Sequence, residues 1–181
     1  QGLEQENAAF RSLLAAKPLP VTAFISGRVI GDASGPFVRT ILINAGARDG
    51  VRTGMAAVTA DGLAGRVIEV GNRASRILLL TDLNSRVPVV IEGSRYRAVL
   101  EGDNSDSMRL TFLPNAAQVS AGDRVVTSGN GGVFPPGLPV GIIASTSGGQ
   151  IRVQPFAGYD RLEYVRLLRY AFPRPETPTV A

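Results

Sequence analysis

Two loops hold the residues with the most chemical promise. Thr127-Ser128-Gly129-Asn130-Gly131-Gly132-Val133-Phe134-Pro135-Pro136-Gly137 sets a hydroxyl beside a glycine-rich turn, as an acyl-transfer nucleophile sits beside its oxyanion hole. Glu101-Gly102-Asp103-Asn104-Ser105-Asp106-Ser107 offers acidic and amide oxygens at alternating positions, a donor set suited to a hard divalent cation. The rest of the chain argues against both. None of the 181 residues is histidine, so Ser128 has no imidazole base. A Ser-Lys dyad would need the single lysine, Lys17, which falls in an N-terminal segment of different character. No Gly-Lys-Ser/Thr follows the glycines, so the loop is not a phosphate-binding P-loop. Counting twelve positions from Asp103 reaches Pro114, where a calcium loop needs glutamate. The expectation is therefore structural: an insertion between strands for the first loop and a hairpin turn for the second. No catalytic, metal-binding or cofactor-binding residue is assigned. A protease-like enzyme with a dyad lacking histidine stays as an alternative reading.

Composition narrows the choice further. With no Cys, His or Trp, disulfides and Cys-ligated iron–sulfur clusters are excluded and zinc and haem sites lose their usual ligands, which leaves only a site built from Asp and Glu formally open. Lys+Arg is 19 against 15 Asp+Glu, a net charge of +4. The basic residues are scattered, with no block of five or six like charges, so no nucleic-acid partner is expected. Hydrophobic residues make up 44% of the chain but aromatics only 6%, which requires a core of Val, Ile, Leu and Ala. No run of eighteen apolar residues is present, so nothing in this stretch is expected to span a membrane as a helix.

The elements fall into two kinds. Over residues 1–17, Leu3, Phe10 and Lys17 stand seven apart, with Ala9, Leu13 and Leu14 near the intermediate spacing. That pattern predicts a short coiled-coil helix ended by Pro18 and Pro20. Two heptads do not hold together alone, so Leu3, Phe10 and Leu14 are expected to form a dimer contact. After Pro20 the pattern changes. Twelve short apolar runs follow, bounded by Gly, Asn, Asp or Pro: 21–30, 38–44, 56–59, 63–70, 75–80, 87–91, 96–100, 108–113, 124–127, 139–145, 151–154 and 162–168. No segment between them is long enough for a crossover helix, so the fold class is all-β.

The twelve runs are two sets of six. Gly54-Met-Ala-Ala-Val58 precedes Gly62-Leu-Ala-Gly65-Arg-Val67, and twelve residues past Gly65 comes Ile77. Gly122-Asp-Arg-Val-Val126 precedes Gly137-Leu-Pro-Val-Gly141-Ile-Ile143, and twelve past Gly141 comes Val153. Residues 38–43 correspond to 108–113, and 87–91 to 162–168. A duplication gives two six-stranded units, and closure into small β-barrels removes their edges. Glycine inside a strand is costly unless another backbone comes close, which makes Gly65 and Gly141 points of tight curvature. The boundaries are 1–17 for the helix, 18–94 for the first barrel, 95–172 for the second and 173–181 for a Pro-rich tail. The alternative that one barrel is inserted into the other stays open. Phe134, Pro135, Pro136, Phe156, Tyr159 and Tyr164 lie in loops or near the last strands, where aromatics serve either partner binding or the plugging of a barrel end.

Several separated motifs resemble the MreC family of rod shape-determining proteins, in order over about residues 1–170. They include Leu3-Glu-Gln-Glu-Asn-Ala-Ala-Phe-Arg-Ser-Leu-Leu14, Asn44-Ala-Gly46-Ala-Arg-Asp-Gly50-Val-Arg-Thr-Gly54-Met55 and Gly62-Leu-Ala-Gly65-Arg-Val67. Ser75-Arg-Ile-Leu-Leu-Leu-Thr-Asp82 and Gly122-Asp-Arg-Val-Val-Thr-Ser-Gly129 followed by Phe134-Pro-Pro-Gly-Leu-Pro-Val-Gly141 complete the set. The resemblance implies two barrels of trypsin-like topology in the periplasmic part of a protein held in the inner membrane by one N-terminal helix. It also implies a scaffold without catalysis, which binds a class B transpeptidase of the penicillin-binding protein 2 type, acts with MreD, RodA and MreB, and forms homodimers or larger self-assemblies. A periplasmic adaptor of a transport system is a further alternative, but its lipoyl-like half-motifs are not found in the sequence.

Overall fold

The computed structural model describes residues 21–34, 38–114, 118–130, 134–158 and 162–170. Twelve strands follow in chain order: β1 (Val21–Ser34), β2 (Arg39–Ile43), β3 (Ala56–Val58), β4 (Leu63–Val70), β5 (Ser75–Leu79), β6 (Arg86–Ile91), β7 (Arg97–Glu101), β8 (Met108–Thr111), β9 (Arg124–Thr127), β10 (Pro139–Ser145), β11 (Ile151–Pro155) and β12 (Tyr164–Tyr170). All twelve expected runs are strands, with bounds that shift by a few residues.

The strands form two closed antiparallel barrels. One has the order β1-β12-β3-β4-β5-β2, the other β10-β11-β8-β7-β6-β9. Each buries a set of β-branched and leucine side chains, as the period-2 alternation requires. Ile41, Ile43, Ala57, Val67, Ile77, Val165 and Leu167 fill the first. Val87, Val89, Ile91, Leu100, Met108, Val125, Val140, Ile143 and Val153 fill the second. Ala56, Val58, Leu63 and Leu168 belong to strands of the first barrel but join the apolar cluster of the second, so an apolar seam unites the two.

The strand order corrects the expected division at 94/95. Strand β6 lies in the second barrel and β12 in the first, so the second barrel, 86–155, is inserted between β5 and β12. The side chains explain the choice. Val87, Val89 and Ile91 of β6 complete the second core, whereas Val165 and Leu167 of β12 complete the first. The expected helix over 1–17 and tail over 173–181 lie outside the described residues.

The duplication is visible in the hydrogen bonds. Gly65 pairs with Ala57 and Leu79, and Gly141 with Val125 and Pro155; the downstream partner lies fourteen residues on in both halves, while the upstream one is eight residues further back in the second, owing to the insertion within 128–138. The Gly54 amide donates to the Val67 carbonyl at 2.8 Å, and Gly122 does the same to Ile143 at 2.8 Å. Both turn glycines hold φ above +90°, a conformation that glycine alone adopts readily.

Within the second barrel the antiparallel alternation of β6–β11 defines two poles. The inner pole gathers the crossover 80–85, the loop 102–107, residues 128–130 and 134–138 and the exit after β11. The outer pole gathers the turn 92–96, residues 112–114 and 118–123 and the turn 146–150.

Candidate functional site

The two loops that promised chemistry both close the fold. Thr127, 1% exposed, donates its hydroxyl to the Pro135 carbonyl and accepts the Leu138 amide at 2.9 Å. Ser128 accepts the Asn130 amide through its hydroxyl at 3.2 Å, and its own amide donates to the Pro88 carbonyl. Ser128 is a turn residue. Phe134 is 3% exposed and belongs to the second-barrel core, and Pro135 is buried. The assignment of Phe134 and Pro135 to partner binding is therefore corrected: the insertion folds back and plugs the inner pole. Pro136 stays exposed.

The acidic loop is held by Arg152 of β11. Its Nη1 meets Asp103 Oδ2 at 2.8 Å, and its Nη2 reaches the Ser105 and Ser107 hydroxyls, each at 2.8 Å. Burial raises the pKa of Asp103, but the hydrogen bonds from Arg152 and Ser105 outweigh it and hold the carboxyl at about 2. Arg39 of β2 also leans on this loop, donating from Nη1 to the Ser105 carbonyl at 3.1 Å and pairing with Asp106 at 3.3 Å. Its backbone amide donates to Asp82 Oδ2 at 2.6 Å, and the Asn84 amide donates to Asp82 Oδ1 at 2.7 Å. Asp82 is 1% exposed. These groups lock the first barrel to the second. Among the described residues no cluster of three or more His, Cys, Asp or Glu is placed to hold a metal.

What the fold leaves for an outside partner is surface, and the aromatics define it. Phe112, at the outer pole, is 79% exposed and holds φ +61°. Met108 and Leu110 point into the barrel, and period-2 alternation would carry Phe112 inward after them. The left-handed backbone breaks the alternation, turns the ring out, and lets Leu113 pack against the core in its place. A bulky residue in this region is strained by about 1–3 kcal/mol, and such strain gathers at functional sites. Sequence reasoning missed Phe112, because Thr-Phe-Leu-Pro at a strand end carries no mark of a face change. Of the expected partner residues, Phe156 is half-buried beneath the Arg124 guanidinium, 5.3 Å from its ring centre. Tyr164 is 41% exposed at the start of β12. Tyr159, Leu3, Phe10 and Leu14 lie outside the described residues. No helix among the described residues is long and apolar enough to cross a membrane.

Comparison with known proteins gives a single answer. The profile of the rod shape-determining protein MreC, barrel core, matches residues 29–169. The cell shape-determining protein MreC of Cereibacter sphaeroides is 47% identical over 167 residues, which is 92% of this chain and 56% of that protein. The chain thus spans about half the length of the curated relatives it matches. A solved structure described as MreC superposes with a TM-score of 0.78 at 32% identity, covering 93% of this chain and all of the other. A second, described as the major periplasmic domain of the cell shape-determining filament MreC, gives 0.73 at 24% identity over 82% of this chain and 99% of its own. The MreC chain of a complex with penicillin-binding protein PBP2 from Helicobacter pylori gives 0.61 at 16% identity over 81% and 98%.

Proposed function

This chain belongs to the MreC family of rod shape-determining proteins, and from that premise we propose that it is a periplasmic scaffold that binds the class B transpeptidase of cell-wall elongation. The family is one of cell shape-determining structural proteins, and members of it have a periplasmic domain. One observation carries the reading for this chain: Phe112, the most exposed aromatic ring among the described residues, is held out from the second barrel by a strained backbone at the pole away from the crossovers. Both barrels close, so no strand edge is offered among the described residues. Binding then proceeds by docking of side chains rather than by strand addition. Large exposed aromatics are the usual anchors of such contacts. Phe156 and Tyr164 belong to the same proposal as secondary contacts. Self-association through Leu3, Phe10 and Leu14, anchoring in the inner membrane, and action with MreD, RodA and MreB complete the scaffold.

The test is a binding measurement between this protein and the periplasmic domain of the penicillin-binding protein 2-type transpeptidase from the same organism. The unaltered protein binds, and Phe112→Ala weakens binding by tenfold or more. Absence of binding by the folded, unaltered protein overturns the proposal.

A further inference from the structure

We infer that β12 is a closing strap: the second barrel forms from one unbroken stretch of chain, and the first stays open until β12 returns to it. The strand orders carry this. Strands β6–β11 follow one another and close on themselves through the β6–β9 and β11–β8 pairs. Strands β1–β5 supply five sixths of the first barrel, and the gap between β1 and β3 is filled only by β12, which enters after the whole second barrel.

The duplication shows that this arrangement is an exchange. Matching Gly65 with Gly141 makes β3, β4 and β5 the counterparts of β9, β10 and β11. The place β12 holds between β1 and β3 is then the place β6 holds between β7 and β9. In sequence, β6 ends the first repeat and β12 ends the second. In space each closes the other's barrel.

The strap is bonded on both edges and buried on its inner face, with Leu168 buried on the outer face as well. It pairs with β1 from Val21↔Tyr170 to Arg28↔Tyr164 and with β3 from Leu168↔Ala56 to Arg166↔Val58. Val165 and Leu167, both 0% exposed, fill the first barrel, and Leu168, 1% exposed, faces outward into the second-barrel cluster. Release of β12 therefore opens the edges of β1 and β3, takes Val165 and Leu167 out of the first core and Leu168 out of the seam, while every strand pair of 86–155 survives. The end of β12 lies beside the beginning of β1, so the strap leaves and returns without threading a loop. Its pairs with β1 join the two ends of the described chain, so their closure cost is high and their formation late.

Native-state hydrogen exchange on the whole protein tests this. The amides of β1–β5 and β12 exchange through one shared opening that is easier than the opening protecting β6–β11. Leu167→Ala accelerates exchange across β1–β5 and β12 by roughly 30- to 5,000-fold, the loss expected from truncating a buried leucine, and leaves 86–155 within about threefold of the unaltered protein. If 86–155 accelerates by the same factor as the first barrel, the two open together and the inference is wrong. Should Leu167→Ala fail to fold, the unaltered protein in sub-denaturing urea decides. Equal opening free energies for β12 and β10 would overturn the strap.

Discussion

Gly65 in β4 and Gly141 in β10 meet the same obstacle: a Cβ on Gly65 would collide with the Leu78 carbonyl oxygen, and one on Gly141 with the Gln154 carbonyl oxygen, thirteen residues on in both barrels. Neither glycine has a left-handed φ, so the demand is for space rather than conformation. Alanine at either position must push a neighbouring strand away. Gly65→Ala and Gly141→Ala should each destabilise by about 3 kcal/mol, lowering the melting temperature by about 10 °C. Thermal unfolding followed by circular dichroism checks this, and a melt unchanged by either substitution would contradict the shared close approach.

Phe112 separates stability from function. Its φ of +61° costs a bulky residue energy that glycine does not pay, and its ring leaves almost no core behind. Phe112→Gly should keep or raise stability by up to about 1 kcal/mol while binding to the transpeptidase domain falls. A chemical denaturation curve and a binding isotherm on the same variant measure the two effects. A destabilised variant would mean that the ring packs against something in the fold.

Phe134 makes the opposite case. Because it is 3% exposed within the second core, Phe134→Ala should cost about 3–5 kcal/mol. The neighbouring Pro136→Ala, at an exposed turn position, should stay within about 0.5 kcal/mol. Urea titration of the two variants distinguishes a plug from a docking surface.

The Arg152–Asp103 pair sets an acid limit. Asp103 has its pKa lowered from 3.8 to about 2 in the folded protein, so the unfolded state binds its proton first as pH falls. Its stabilisation is complete above about pH 4 and fades as pH drops through about 2. Both partners are about a quarter exposed, so solvent screening keeps the contribution modest. Asp103→Asn should flatten the stability profile between pH 4 and 2, measured by denaturation at a series of pH values. An unchanged slope would remove Asp103 as its source.

Ser128→Ala should leave stability and partner binding unchanged, and the unaltered protein should not react with a serine-directed fluorophosphonate. Labelling that is lost in Ser128→Ala would reopen the enzymatic reading.

Much of this was legible in the sequence, because strand and turn signals are local. Alternating apolar residues bounded by glycine and proline marked all twelve strands, and the matched spacing around Gly65 and Gly141 marked two barrels. The absence of histidine separated the Ser128 loop from protease chemistry. Three things were decided only by the tertiary structure. The sixth strands are nearly equivalent in pattern, so which barrel β6 or β12 completes depends on the docking of distant surfaces, and the chosen pairing places Leu168 in the seam between barrels. Phe134 and Phe112 are both loop aromatics. One is buried because its loop folds back over the inner pole, and the other is exposed because a single left-handed residue reverses the strand's alternation. Asp103 and Arg152 stand 49 residues apart, and only the barrel's closure brings the carboxylate to the guanidinium. Local pattern determines what each segment is, but the choice among compatible partners depends on long-range packing, which no short window of sequence contains.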